Sequence, residues 1–198
     1  MKFELMLRLM VLLLLGCAFL ISGLYRRRAR IEKEFIKRKE EGWLALILRM
    51  AAAIPLLVMI LLNIFFPEWF GWSKANLPVW LRITGMVLAT GAVLWLWWVF
   101  HTIGDNISET VLVKESHELI TTGPYRLVRH PLYAGALLFL FSLGLVFEDW
   151  VVFVYAIVGL LAFRLLVIPV EEEKLLEAFG EDYECYQSRT GSLLPWIR

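Results

Sequence analysis

The segment Gly123-Pro124-Tyr125-Arg126-Leu127-Val128-Arg129-His130-Pro131-Leu132-Tyr133-Ala134-Gly135 sets a concentrated polar cluster directly before an apolar run, Leu132 to Phe147. A second apolar run, Trp150 to Ile168, ends just before Glu171-Glu172-Glu173-Lys174-Leu175. Only Glu148 and Asp149 separate the two runs. A turn this short forces the runs into an antiparallel helical hairpin. Arg129 and His130 are therefore expected at the same depth as Glu171 and Glu172, and chemistry is expected where they meet.

The rest of the chain says what medium that hairpin sits in. Its 198 residues are 60% hydrophobic and 20% charged, and the mean hydropathy is +0.68. Soluble domains run at about 45–50% apolar residues, so the composition is that of a multi-span membrane protein. The net charge of +1 is uninformative as a sum; the distribution of the cations carries the information. Two cysteines, Cys17 within an apolar run and Cys185 near the end, offer neither a disulfide framework nor metal-ligand spacing, and no metal is expected.

Taken in order, Leu5 to Leu24 is a first span, interrupted only by Arg8 and long enough for a hydrocarbon core of about 30 Å. Leu14-Leu15-Gly16-Cys17 faintly suggests a processing site, but the apolar run continues past Cys17 and Glu4 is unusual in a leader. Residues 26 to 42 hold eight Lys and Arg with four glutamates. Such a loop belongs on the cytosolic side, touching anionic headgroups rather than nucleic acid, which places the N-terminus outside. Trp43 to Phe66 and Pro78 to Phe100 are the second and third spans, joined by a loop with one cation, Lys74, and the tryptophans Trp69 and Trp72. Trp95, Trp97 and Trp98 read as an interfacial belt. Leu132 to Phe147 and Trp150 to Ile168 complete five spans, with the acidic 148–149 turn outside.

The expected fold is thus an all-α integral membrane protein with five transmembrane helices. Its N-terminus is outside, its C-terminus inside, and residues 101 to 130 form a polar cytosolic loop. The tail from Glu171 is expected to be an interfacial helix, because Leu175, Leu176, Phe179, Tyr183 and Tyr186 recur at near-helical spacing. Residues 1–100 would carry three spans with the basic loop 25–42, and residues 101–198 the functional half.

Each motif has an ordinary structural reading. Proline in the first turn of a helix, preceded by Arg and His at a cytosolic end, is common. Acidic residues at a helix N-terminus complement its dipole. The hairpin changes the balance by bringing both polar sets together.

The pattern His117-x-Leu119-Ile120-x-x-Gly123-Pro124-Tyr125-Arg126-x-x-Arg129-His130-Pro131-x-Tyr133-x-Gly135, followed by Glu171-Glu172-x-x-Leu175 and Phe179-Gly180-x-x-Tyr183-x-x-Tyr186, resembles the isoprenylcysteine carboxyl methyltransferase family. It also resembles the wider group that includes phospholipid N-methyltransferases. The resemblance covers residues 101 to 198; the first two spans match only in character.

The resemblance implies an integral membrane enzyme using S-adenosylmethionine, with a lipophilic acceptor entering from the bilayer. It assigns His117, Glu118, Leu119, Ile120, Tyr125, His130, Pro131, Leu132, Tyr133 and Glu171 to the cofactor. Arg129, His130, Glu172 and Arg164 become candidates for catalysis. These residue types suit that cofactor, whose ribose hydroxyls want an acceptor such as Glu171 and whose carboxylate wants a donor. The sulfonium is already electrophilic, so the protein's task is to align the nucleophile and exclude water. A carboxylate acceptor needs no general base, whereas an amine or phenol would turn first to His130 or Glu172.

One departure concerns the acceptor. Relatives often carry an arginine where this chain has Val167, and Arg164, one helical turn earlier, is either a substitute or a snorkelling cation. Two other function classes stay in view. An NADPH-dependent lipid reductase would present more basic groups than the Lys114, Arg126 and Arg129 of residues 101 to 131. A non-catalytic protein of the same fold would not need Arg129, His130, Glu171 and Glu172 together. The compact length and the lack of a retention tail point to a prokaryotic plasma membrane ahead of an endoplasmic reticulum.

Overall fold

Apolar runs without water must satisfy their own backbone groups, and helices do so within one segment. The computed structural model describes residues 2–32, 43–104 and 119–195, and among these every regular element is helical. The helices are α1 (Lys2–Glu32), α2 (Trp43–Phe65), α3 (Val79–Ile103), α4 (Pro131–Phe147), α5 (Trp150–Ala162), α6 (Ile168–Phe179) and α7 (Glu181–Arg189). Among the described residues, extended pairing is limited to two isolated bridges, Lys74 with Asp149 and Val128 with Gly191.

Three described helical stretches are long and apolar enough to cross a membrane: Lys2–Arg28, Val79–Ile103 and Trp150–Phe179. A fourth arises if Ala53–Phe65 is joined to the 3-10 helix Pro67–Ser73, which bends away from it by 111°. α4 has 17 residues, roughly 25 Å at 1.5 Å per residue. The membrane character and the all-α class therefore stand, with three to four spans by length and composition.

The chain after α2 does not form the plain loop expected between the second and third spans. Phe70 and Ser73 of the 3-10 helix are buried, while Trp69 and Trp72 face outward. This element brings Lys74 to the α4–α5 turn, where its ammonium donates to the Phe147 carbonyl. The acidic turn that reads as cation-free is thus neutralised from other elements. Arg82, buried in α3, holds Glu4 of α1 through both carboxylate oxygens at 2.5 and 2.7 Å, and lies 2.9 Å from Glu148. Asp149, fully buried, accepts from the Val151 amide as N-cap of α5 and from Asn63 of α2 at 3.0 Å. Leu7, Val11, Ile60, Met86, Leu143 and Val152 pack beside this knot, so five helices converge at one end of the bundle.

The α3–α4 contact sets the position of everything that follows. A Cβ on Gly85 would lie 2.6 Å from Leu145 Cβ and 2.9 Å from the Ser142 carbonyl, so this glycine permits backbone-close packing. At the opposite end, Tyr25 of α1 stacks on Phe100 and its hydroxyl lies 3.3 Å from His101.

The last span differs most from expectation. Its helix does not stop near Ile168 to restart as an interfacial segment. A π-helical turn at Phe163–Val167 connects α5 directly to α6. Pro169 has no amide hydrogen and its ring would collide with the carbonyl four residues earlier in a regular α-helix. The wider turn, with the Ile168 amide on the Phe163 carbonyl, carries the helix through it. Glu171 therefore does not sit at a free helix N-terminus, and the dipole reading of the three glutamates lapses. The break comes at Gly180, where φ is +51° and α7 turns back toward α4.

Candidate active site

Residues 123 to 130 lead into α4. Gly123 has φ +59°, and a Cβ there would meet Thr102 Oγ1 at 2.7 Å, so the turn closes against the end of α3. Gly123–Arg126 form a 3-10 turn, and Pro131 starts α4 with its fixed φ. Between them Leu127 completes the turn and Val128 pairs with Gly191 of the tail in an isolated parallel bridge. The Arg129 amide donates to the Gly191 carbonyl at 2.8 Å and the His130 amide to the Ser192 carbonyl at 3.0 Å.

This pairing sets Arg129 between three elements. Its Nε and Nη2 lie 2.9 and 2.8 Å from Glu172 Oε1, and its Nη1 donates to the carbonyls of Gln187, at 3.2 Å, and Thr190. Glu172 Oε1 also receives His130 Nε2 at 3.0 Å, and Oε2 accepts from Gln187 Nε2 at 3.0 Å. Both oxygens of Glu172 are occupied, and Arg129 has its guanidinium committed to the fold.

His130 is buried, with Nε2 on Glu172 and Nδ1 3.4 Å from Glu171 Oε2. Burial alone would favour the neutral ring, but Glu171 and Glu172 outweigh it and hold its pKa above the ordinary value. Its ring stacks on Tyr133 at 5.8 Å, and Tyr133 stacks in turn on Phe163 of the π turn at 4.5 Å. An imidazolium carries an N–H on both nitrogens, with Nε2 on Glu172 and Nδ1 facing Glu171, so this arrangement favours a donor and an anchor over a resting base.

A raised folded-state value gives the stability profile a definite sign. His130 contributes fully below its ordinary value near 6.5, and that contribution is lost as pH rises through the raised value. Thermal unfolding in detergent should therefore show stability falling upward from about pH 6.5. His130→Gln should flatten this part of the profile; an unchanged slope in the variant would remove His130 as its source.

Four buried side-chain atoms among the described residues lack any hydrogen-bond partner, and three are Glu171 Oε2, Tyr183 Oη and Ser192 Oγ, in the elements that surround His130. The 3.4 Å approach of His130 to Glu171 is an ion-pair distance without hydrogen-bond alignment. Folded proteins rarely leave such atoms unsatisfied, so these three single out the elements around His130 as the candidate site.

The remaining sequence-selected residues fall around this centre. Tyr125 lies under the tail, its carbonyl accepting from Tyr186 Oη at 2.6 Å, and burial and Glu171 push its own hydroxyl pKa up. Pro131 is buried, and its carbonyl receives the indole N–H of Trp95 at 2.8 Å, so Trp95 has a partner on α4. Leu132 packs on Phe100. Leu119 and Ile120 begin a described segment and are half-buried; His117 and Glu118 lie outside the described residues. Arg164 is exposed in the π turn, with no hydrogen bond or ion pair to a described residue. Gln187, Thr190, Tyr183 and Ser192 were not singled out as site residues by sequence. In the sequence Tyr183 and Tyr186 read as one side of an amphipathic helix, and nothing local announces that Gly191 pairs with Val128.

A family model described as phospholipid methyltransferase matches residues 80–182. The protein-S-isoprenylcysteine O-methyltransferase of Homo sapiens is 31% identical over 157 residues, covering 75% of this chain and 51% of that protein. Protein-S-isoprenylcysteine O-methyltransferase B of Arabidopsis thaliana is 27% identical, covering 75% and 73%. Methanethiol S-methyltransferase of Pseudomonas deceptionensis is also 27% identical, covering 75% and 58%. A solved eukaryotic intramembrane Ras methyltransferase, an isoprenylcysteine carboxyl methyltransferase, superposes with a TM-score of 0.58 over 95% of this chain and 68% of its own, at 20% identity, a likeness of fold.

Proposed function

Because this chain belongs to the phospholipid methyltransferase family of membrane proteins, which takes in the isoprenylcysteine methyltransferases, we propose that it transfers a methyl group from S-adenosylmethionine to a lipophilic acceptor. The observation that carries the reading is the buried, unpartnered carboxylate oxygen of Glu171 beside a fully occupied Glu172. A donor-bearing group, such as a ribose hydroxyl or an ammonium, completes it. The residues present fit the cofactor on that ground, with Glu171 as its carboxylate contact and the backbone near Leu119 and Ile120 available to an adenine edge.

When bound, S-adenosylmethionine, held by Glu171, would supply an electrophilic methyl carbon to the acceptor's nucleophile. The chain's own residues prepare that geometry. Arg129 and Glu172 fix the tail against the entrance of α4, and His130 holds Glu171 and Glu172 at set positions. Tyr133 and Phe163 form an aromatic wall suited to an apolar acceptor. Arg164, beside Phe163, is the candidate for an anionic group on that acceptor.

The five-span topology with the N-terminus outside belongs to the same reading. In its support, Glu4 shares one end of the bundle with the 148–149 turn, while Tyr25 and His101 share the other with the site.

Calorimetry on the detergent-purified protein with S-adenosylhomocysteine and with NADPH tests this. Saturable binding of S-adenosylhomocysteine alone is expected. Binding of NADPH alone would move a lipid reductase into its place, and binding of neither would leave a non-catalytic protein of this fold.

A further inference from the structure

We propose that Tyr183 is a binding residue whose hydroxyl is reserved for the polar end of the bound methyl donor, an inference that rests on the methyltransferase reading. Two tyrosines one turn apart on α7 make the contrast. Tyr186 donates to the Tyr125 carbonyl at 2.6 Å and so ties α7 to the turn before α4. Tyr183 is more deeply buried, at 1% exposure, and its hydroxyl bonds to nothing. Its ring already meets Tyr186 edge-on at 6.0 Å, and its backbone amide is satisfied by the Gly180 carbonyl. A phenylalanine would fill the same space without burying an unpaired O–H, so the hydroxyl has no use within the ligand-free fold.

Its surroundings indicate what it meets. Burial, followed by the field of Glu172, pushes the hydroxyl pKa upward, so it stays protonated and can donate. Glu171 also acts on it, yet Glu171 Oε2 and Tyr183 Oη are both unpaired, so the two atoms do not satisfy each other. An acceptor-seeking hydroxyl and a donor-seeking carboxylate in one site call for a ligand group that carries both functions. The amino-acid end of S-adenosylmethionine offers a carboxylate and an ammonium, and its ribose offers paired hydroxyls. Ser192, whose carbonyl holds the His130 amide while its own hydroxyl is unpartnered, adds a further polar contact from the tail.

Tyr183→Phe separates this from a structural role because the two predict opposite stability changes. The ligand-free variant should melt at or above the wild-type Tm, while its affinity for S-adenosylhomocysteine, measured by calorimetry, falls about tenfold. Tyr186→Phe, which removes a hydrogen bond that is made, should lower the ligand-free Tm and shows what loss of a structural hydroxyl looks like. Affinity within twofold of wild type in Tyr183→Phe would overturn the inference. A ligand-free Tm lowered as in Tyr186→Phe would also overturn it, since the hydroxyl would then have a partner in the fold. Failure of the wild type itself to bind S-adenosylhomocysteine would instead overturn the methyltransferase reading, and this inference with it.

Discussion

Arg129→Ala is expected to lower the stability of the detergent-solubilised protein by about 3–5 kcal/mol, the range for removing one partner of a buried ion pair. The pair is well shielded, with side-chain exposures of 9% for Arg129 and 15% for Glu172. Deleting the guanidinium leaves Glu172 with an unbalanced charge and removes the donor from the carbonyls of Gln187 and Thr190. The damage should therefore spread to the whole tail, with residues 181–195 becoming the first site of proteolytic cleavage. Arg129→Lys should rescue little, because a single ammonium cannot reproduce a planar fork that reaches Glu172 on one side and two carbonyls on the other. Unfolding followed by circular dichroism decides the matter. A loss below about 1 kcal/mol, the level of an exposed pair, would mean that the clamp does not hold the tail.

Glu171→Ala should separate binding from folding. Its Oε2 makes no hydrogen bond in the ligand-free protein and only approaches His130 Nδ1 at 3.4 Å, so its removal should cost about 1–2 kcal/mol, well below the loss expected for Arg129→Ala. The affinity for S-adenosylhomocysteine should drop by about 2 kcal/mol, roughly thirtyfold, which is typical of a hydrogen bond to a charged group. Glu172→Ala gives the opposite pattern, since every partner of Glu172 lies within the protein: stability falls first and binding follows. Wild-type affinity in Glu171→Ala would dissociate this carboxylate from the cofactor and leave the pocket to be sought elsewhere. The pair of variants thus tests the division expected from the sequence resemblance, with Glu171 on the cofactor, and gives Glu172 a structural task that the sequence does not announce.

Much of the arrangement was legible before any coordinates. The two-residue turn at Glu148-Asp149 and the apolar runs on either side of it determine a hairpin. That hairpin does bring Arg129 and His130 to Glu171 and Glu172. What composition could not show is how charges within the apolar runs are accommodated. Arg82, within the third apolar run, binds Glu4, 78 positions earlier, and Glu148, well beyond it in the chain. Trp95 reads as one of three interfacial tryptophans, and its indole N–H has a partner in the Pro131 carbonyl of α4. Such pairings join residues remote in sequence, and no local period encodes them.

The length and hydropathy of the runs, the prolines and glycines that start and stop helices, and the separation of polar clusters are local properties, and these the sequence determined by itself. Tertiary structure decided which glutamate is consumed by the fold and which is left open. The π turn at Phe163–Val167 inserts an extra residue into the helix, rotating everything beyond it by roughly 100° relative to a regular 3.6-residue repeat. The faces of Glu171 and Glu172 therefore cannot be phased from the preceding span. Only the tail folding back toward α4, with Gln187 and Arg129 closing on Glu172, fills one carboxylate while the other keeps a buried oxygen without a hydrogen bond.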